Sequence, residues 1–141
     1  MWAEFFTKLK ESIVNSFEYF ISHYEEEIRK LDSTRMYPGW NYCHFFLMKE
    51  GLAFTYEQVN LCNDSLKQYL ELDAVLEQNI AVNTSITPTF DKFGGNEISD
   101  EQVNIIDTYK KPYRQLIYLN TISEFDFSHY LFARKLKVSY L

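Results

Sequence analysis

The sequence predicts an all-α protein made of antiparallel helical hairpins in the manner of an α-solenoid, with one long irregular loop. Three observations carry that expectation. Apolar residues recur at steps of three and four over long stretches, the second such stretch is apolar on two faces, and turn-forming residues separate the stretches. From Trp2 to Leu31 the spacing of Trp2, Phe5, Phe6, Leu9, Ile13, Phe17, Phe20, Tyr24, Ile28 and Leu31 defines an amphipathic helix over residues 2–31. It would span on the order of 45 Å, too long to pack on itself, so it needs a partner helix. Asp32-Ser33-Thr34 and Pro38-Gly39 end it, because proline and glycine cannot continue a helix.

A second helix is expected over residues 40–61. Phe45, Leu52, Tyr56 and Val59 form one stripe and Trp40, Leu47 and Phe54 another, as in a helix held between two neighbours. Cys62-Asn63-Asp64 makes the next turn, and Asn63 or Asp64 can cap a third helix over 64–79. Residues 80–122 read as irregular: Val82, Thr84, Ile86 and Thr87 are β-branched, Pro88 breaks a helix and Gly94-Gly95-Asn96 is a turn. Phe90 and Phe93 would pin that loop to the body, Ser99 to Gln102 could open a short helix through Ile106, and Pro112 interrupts the pattern. Ser123 with Asp126 resembles a capping box for a last helix over 123–141. The whole is expected to be a single helical domain. Because Met1 is followed at once by helical periodicity and apolar residues continue to Leu141, both ends are expected to be cut from a longer chain.

Composition narrows the function. Fourteen basic against 20 acidic residues give a net charge of −6, and basic residues cluster only as pairs such as Arg29-Lys30, so a nucleic-acid partner is not expected. No run approaches the roughly eighteen apolar residues of a spanning helix, and no signal peptide is visible, so direct membrane insertion is not expected and a cytoplasmic location is. Cys43 and Cys62 in apolar settings fit reduced buried thiols. Aromatic residues make up 18% of the chain, a load that must be buried or used for binding.

The sequence offers no constellation of catalytic residues. His23 and Glu27 share a helical face at the spacing of a two-ligand metal site, but nothing supplies the further ligands, and a solvated charged face is the better account. Cys43 and His44 point about 100° apart and lack a Cys-x-x-Cys pattern. There is no nucleophile elbow and no phosphate-binding loop, and the carboxylates of Glu25 to Glu27 and of Asp100-Glu101 lie where solubility explains them. No catalytic, cofactor-binding or metal-binding residue is therefore assigned, and no cofactor is expected. Residues 52 to 72 follow a tetratricopeptide hairpin in part, in Leu52-Ala53, Tyr56, Ser65-Leu66, Tyr69 and Leu72, without a second copy, so the segment is TPR-like rather than a repeat array.

The run from Pro38 to Gln78 resembles the helical region of the family of subunit 10 of the trafficking protein particle (TRAPP) complex, the TRAPP II-specific large subunit. The residues that carry the likeness are Pro38-Gly39-Trp40, Phe45-Phe46, Glu50-Gly51-Leu52-Ala53-Phe54 and Tyr69 with Glu71-Leu72-Asp73-Ala74. Trp2, Phe5 to Lys10, Phe17 and Arg29 to Leu31 extend it, as do Ser128 to Arg134, whereas residues 80–122 add nothing. The resemblance implies a segment that follows an N-terminal domain and opens a helical solenoid, as a non-catalytic scaffold of a Golgi vesicle-tethering complex. It further implies that other TRAPP subunits are the partners and that Rab GTPase nucleotide exchange belongs to the whole complex, at the cytoplasmic face of Golgi membranes.

A contact surface is expected where the last helix lacks a successor, at Phe127, Tyr130, Leu131, Val138 and Tyr140, which should then be partly exposed, and the isolated chain should self-associate through such ends. The alternative function is an independent helical peptide-binding adaptor, which predicts a concave groove with Tyr56 or Tyr69 exposed. A membrane-surface role for the first helix is opposed by Glu4, Glu11, Glu18 and Glu25 to Glu27.

Overall fold

The computed structural model describes residues 1–85 and 111–141, with side chains described outside 82–110. Among the described residues every regular element is a helix: α1 Trp2–Ser33, α2 Tyr42–Gln58, α3 Cys62–Ser85, α4 Tyr113–Tyr118 and α5 Glu124–Ser139. The all-α expectation is met. The expected features at Phe90, Phe93, Gly94 to Asn96 and Ser99 to Ile106 lie outside the described residues.

The turn between α1 and α2 shows why Pro38, Gly39 and Trp40 occur together. Gly39 has φ +89°, a left-handed conformation that costs a side-chain-bearing residue energy and glycine nothing. That reversal turns buried Trp40 back onto the end of α1, where its indole N–H donates to the Leu31 carbonyl at 2.8 Å. That carbonyl, at the end of α1, also accepts from the Thr34 N–H at 3.3 Å and the Thr34 hydroxyl at 3.0 Å, so the indole adds a further bond that ties the turn to the helix end. The Arg35 guanidinium lies 5.8 Å from the Trp40 ring centre and covers its outer side. Asn41 then caps α2, its side-chain oxygen accepting from the His44 N–H at 3.2 Å.

α1 and α2 are antiparallel. Leu31 meets Trp40 near the turn, Tyr24 lies against Gly51 midway, and Phe17 reaches Tyr56 near the far end of α2. Gly51 permits that approach, since a Cβ there would stand 2.7 Å from Tyr24 Cε1. α2 and α3 form a second antiparallel hairpin. Its turn places Asn60 at φ 61°, with the Leu61 N–H donating to the Tyr56 carbonyl at 3.0 Å and the Asn60 N–H to the Glu57 carbonyl at 3.1 Å. These two bonds close the helix end as a left-handed cap does, with asparagine in glycine's usual place. The same device ends α4, where Asn120 has φ 56° and the Thr121 N–H donates to the Leu116 carbonyl.

α2 lies between α1 on one side and α3 with α4 on the other, as its two apolar faces require. The second face differs from the expected one: Phe54 is exposed and Leu47 only half-buried, while Tyr42, Phe46 and Ala53 enter the core with Lys49 and Glu50. The rings of Phe46 and Phe127 stand 4.7 Å apart and those of Tyr42 and Phe127 5.3 Å, so the core of α2, α3 and α5 is largely aromatic. The buried Tyr42 hydroxyl donates to the Leu72 carbonyl at 2.8 Å and ties α2 to α3.

Several boundaries depart from expectation, and α2 is shorter than expected, 42–58 against 40–61. α3 begins at Cys62, so Asn63 and Asp64 occupy its first turn instead of capping it, and it runs on to Ser85. β-branched residues cost a helix only fractions of a kcal/mol each, and without glycine or proline before Pro88 they do not stop it. α4 lies inside the region expected to be irregular, 80–122. Pro112 opens it instead of breaking it, because the first turn of a helix needs no N–H from that residue. At Ser123 the expected cap is present, its Oγ accepting from the Asp126 N–H at 3.1 Å, and α5 closes at Ser139.

Two substitutions test this packing. Gly51→Ala alone should lower the thermal midpoint, because overpacking against the Tyr24 ring costs about 1–3 kcal/mol and outweighs the gain in helix propensity. In a Tyr24→Ala background the same change should become neutral or stabilising, which paired thermal melts would show. Ser123→Ala should cost about 1 kcal/mol through loss of the cap, read from urea unfolding.

Candidate interaction surface

The residues expected to form a contact surface separate into two groups. Phe127 and Leu131 are wholly buried and Tyr130 and Val138 nearly so, whereas Tyr140 is 86% exposed. The expectation of a partly exposed face at the first four is corrected: α5 turns that face inward against α2, α3 and α4. Its outward side carries Phe125, Phe132 and Tyr140 instead. The signal for this lies in the same spacing, since Phe127, Tyr130, Leu131 and Val138 follow the three-and-four rhythm that buries a helix face, while Tyr140 falls beyond the helix end.

Between α2, α3 and α5 lies a cluster of buried charge. Arg134 on α5 donates from Nη2 to Glu57 Oε1 at 2.8 Å and to the Tyr69 hydroxyl at 2.8 Å, and from Nε to the same hydroxyl at 3.0 Å. Its Nε is 3.9 Å from Glu50 Oε1, which accepts a short hydrogen bond from the Tyr130 hydroxyl. Arg114, at α4, stands 3.0 Å from Glu50 Oε2 with its N–H not aimed at it, so that oxygen has a countercharge and no hydrogen bond. Lys49 with Glu71 and Lys135 with Asp73 add ion pairs from α2 and α5 to α3. Burial raises the Tyr69 and Tyr130 hydroxyls well above the usual phenol range, so both stay protonated and able to donate.

This cluster explains Glu50, Leu52, Ala53 and Tyr69. Ala53 is fully buried beside the α2–α3 contact, Leu52 is buried on the side of α1 and α3, Glu50 anchors α4 and α5, and Tyr69 carries the Arg134 fork, with the guanidinium also over its ring at 5.4 Å. Sequence reasoning did not find the cluster as such; its signal is a glutamate at position 50 between buried Phe46 and Ala53, and an arginine one turn after buried Tyr130.

An open groove runs between α1, α2 and α3. Ile28, Phe45, Leu52 and Val75 give it an apolar floor, and Glu25, Arg29, Asp32, Lys49 and Glu71 line it with both signs of charge. The tyrosines expected for peptide capture do not supply it: Tyr69 is wholly buried, and Tyr56 is half-buried against Phe17 at 6.4 Å between ring centres.

The N-terminal half of α1 is the larger apolar surface. Phe17 already faces Tyr56, two residues from the end of α2, so everything before it extends past α2. Trp2, Phe5, Phe6, Leu9 and Ile13 are between 45% and 75% exposed there. α1, with 32 residues, is about 48 Å long and α2, with 17, about 25 Å, which accounts for the overhang. This feature was legible as a helix needing a partner, but not as one that the described residues cover only in part.

Other expected sites resolve simply. His23 stacks on Tyr19 with ring centres 6.4 Å apart, and Glu27 pairs with Lys30 at 2.8 Å, which lowers its carboxyl below the usual range. Cys43 and Cys62 are free thiols, and burial pushes Cys43 up to about 12. Among the described residues no group of three or more histidine, cysteine, aspartate or glutamate side chains converges on a common point, and no helix is long and apolar enough to cross a membrane.

Removing the Arg134 guanidinium leaves two carboxylates buried without it. Arg134→Met should destabilise by about 3 kcal/mol or more, and adding Glu57→Gln should recover part of the loss, as denaturant midpoints of the two variants would show. The raised Cys43 value contributes stability that is fully present below its unfolded value near 9. That contribution is lost as pH rises towards about 12, with Tyr42, Tyr69 and Tyr130 acting in the same direction. The urea midpoint should therefore fall across that alkaline window, and less so for Cys43→Ala relative to its own value at pH 7.

No family model matches the chain, and no solved structure matches it. Named relatives do. The chain is 42% identical over 145 residues to "Trafficking protein particle complex subunit 10" of Dictyostelium discoideum, a match that covers 100% of this chain and 10% of that one. It is 34% identical over 137 residues to the "Trafficking protein particle complex II-specific subunit 130 homolog" of Oryza sativa subsp. japonica, covering 97% and 11%. The human "Trafficking protein particle complex subunit 10" is 38% identical over 79 residues, covering 56% and 6%. The chain thus spans about a tenth of the length of the first two relatives. With 42% identity over the whole of this chain, the chain belongs to the TRAPP complex subunit 10 family.

Proposed function

We propose that this chain is a non-catalytic scaffold and contact segment of a TRAPP II vesicle-tethering complex. In this reading it supplies shape and surface, while nucleotide exchange on a Rab GTPase is performed by the complex as a whole, at the cytoplasmic side of Golgi membranes. The observation that carries it is the match over the entire chain to relatives named as subunits of that complex. The structure supports a supporting role in a second way. The residues that carry the family likeness make turns, caps and a buried ion cluster, as the Gly39 reversal, the Trp40 bond to Leu31 and the Glu50 and Tyr69 contacts illustrate. Such residues hold helices in register and leave chemistry to other parts of an assembly.

The groove between α1, α2 and α3 favours a second, narrower reading, in which it takes an extended or helical segment of a partner subunit. Its apolar floor and two-signed edges suit an amphipathic ligand. This reading belongs to the same scaffold role, since the partner would be another TRAPP subunit.

An affinity pull-down from cytosol with the folded chain as bait, read by mass spectrometry, tests the proposal. Trp40→Ala with Leu52→Ala, two buried residues, serves as the unfolded control. Recovery of several TRAPP subunits with the folded bait alone is the expected result. A well-folded bait that recovers none of them overturns the contact role.

A further inference from the structure

The apolar stripe of α1 runs the length of the helix, interrupted by Lys10, but the cover that the described residues give it does not. Around the helix Phe17, Ile21, Tyr24, Ile28 and Leu31 lie on the side that meets α2, and one-hundred-degree steps carry the same side forward through Ile13, Leu9, Phe6 and Trp2. The first group is half-buried and the second exposed. The opposite side carries Glu4, Glu11 and Glu18 at seven-residue spacing. A face so divided, three turns or more long and with two aromatic pairs in it, is far larger than single scattered surface residues require.

We propose that the N-terminal half of α1 is a docking face for an amphipathic helix from the part of the same polypeptide that lies outside these 141 residues. Two observations select that occupant. The exposed stripe continues an interface already formed within the chain, so a helix lying end to end with α2 would extend the α1–α2 packing without any change in α1. The family chains are much longer than the matched segment, since it accounts for only 10% of the Dictyostelium protein, and a tethered segment meets α1 in an intramolecular step that does not depend on protein concentration. A lipid surface is disfavoured, because helices that lie in membranes are rich in Lys and Arg on their polar face, and here Glu4, Glu11 and Glu18 outnumber Lys8, which pairs with Glu4 at 3.7 Å. The inference rests on family membership and not on the role of the complex, so its failure is separate from failure of the pull-down.

Leu9→Cys and Ile13→Cys on the apolar side, with Glu11→Cys on the acidic side as reference, can be followed by maleimide labelling and peptide mass spectrometry. The positions are exposed, so none of the substitutions disturbs the core, which circular dichroism would check. The measurement is made on the full-length polypeptide carrying these residues, purified as a monomer without other subunits, and on the 141-residue chain. In the full-length polypeptide positions 9 and 13 should label roughly tenfold more slowly or less, and position 11 should be unchanged; in the 141-residue chain all three should label at similar rates. Four outcomes overturn the proposal: equal labelling at all three positions of the full-length monomer, protection that grows with concentration of the 141-residue chain, protection only after assembly with other subunits, and protection only on liposomes. The last three assign the face to a second copy, another subunit or a lipid surface in turn.

Discussion

The arrangement of the described helices depends on one largely buried cation, Arg134. The Arg134 guanidinium reaches from α5 across to Glu57 and the Tyr69 hydroxyl, with Glu50 next to it, so a single side chain fixes α5 against the α2–α3 hairpin. Aromatic packing between Phe46, Tyr42 and Phe127 supplies the attraction, but apolar contact has no preferred rotation and would tolerate small slips of α5 along its axis. A planar fork that must meet a carboxylate and a hydroxyl at set distances does not. Buried charges are costly when unmatched, which makes misplacement of α5 unfavourable beyond the loss of packing.

From that centre the other elements follow. Glu50 holds Tyr130 of α5 and faces Arg114 of α4, so α4 is drawn to the same side of α2 as α5. Ser123 caps α5 just beyond the Asn120 reversal and sets its direction of entry. On the far side of α2, Gly51 admits Tyr24 and Trp40 closes the end of α1, so among the described residues α1 is held by packing and by the indole bond to the Leu31 carbonyl, without a buried ion pair. The layers are therefore unequal: α2, α3 and α5 are locked by charge and ring contacts, and α1 is laid over them along half its length.

That inequality bears on function. In the scaffold reading proposed above, the segment would hold surfaces at fixed spacing, and among the described residues the open apolar surfaces are the α1 overhang and the groove beside α3. Both are apolar with charged borders, which suits protein neighbours better than small ligands or anionic lipids. The free thiol of Cys43, pushed up by burial, belongs to the packed interior and not to these surfaces.

The sequence by itself determined the helices and their punctuation. Periodicity marked α1, α2 and α5, Pro38-Gly39 and Ser123 marked turns and a cap, and the order of Pro38, Gly39, Trp40, Glu50 and Tyr69 pointed to the family, because each of these signals is local or is carried by residue order. What only the tertiary structure decided was which apolar faces are covered. Phe127, Tyr130, Leu131 and Val138 on α5 and Trp2, Phe6, Leu9 and Ile13 on α1 follow the same rhythm, yet the first set is core and the second surface. Spacing reports that a face is apolar; burial depends on which other helix is long enough, and near enough, to reach it. Likewise Glu50, Glu57 and Arg134 are distant in sequence, and their pairing exists only once α5 has packed on the α2–α3 hairpin.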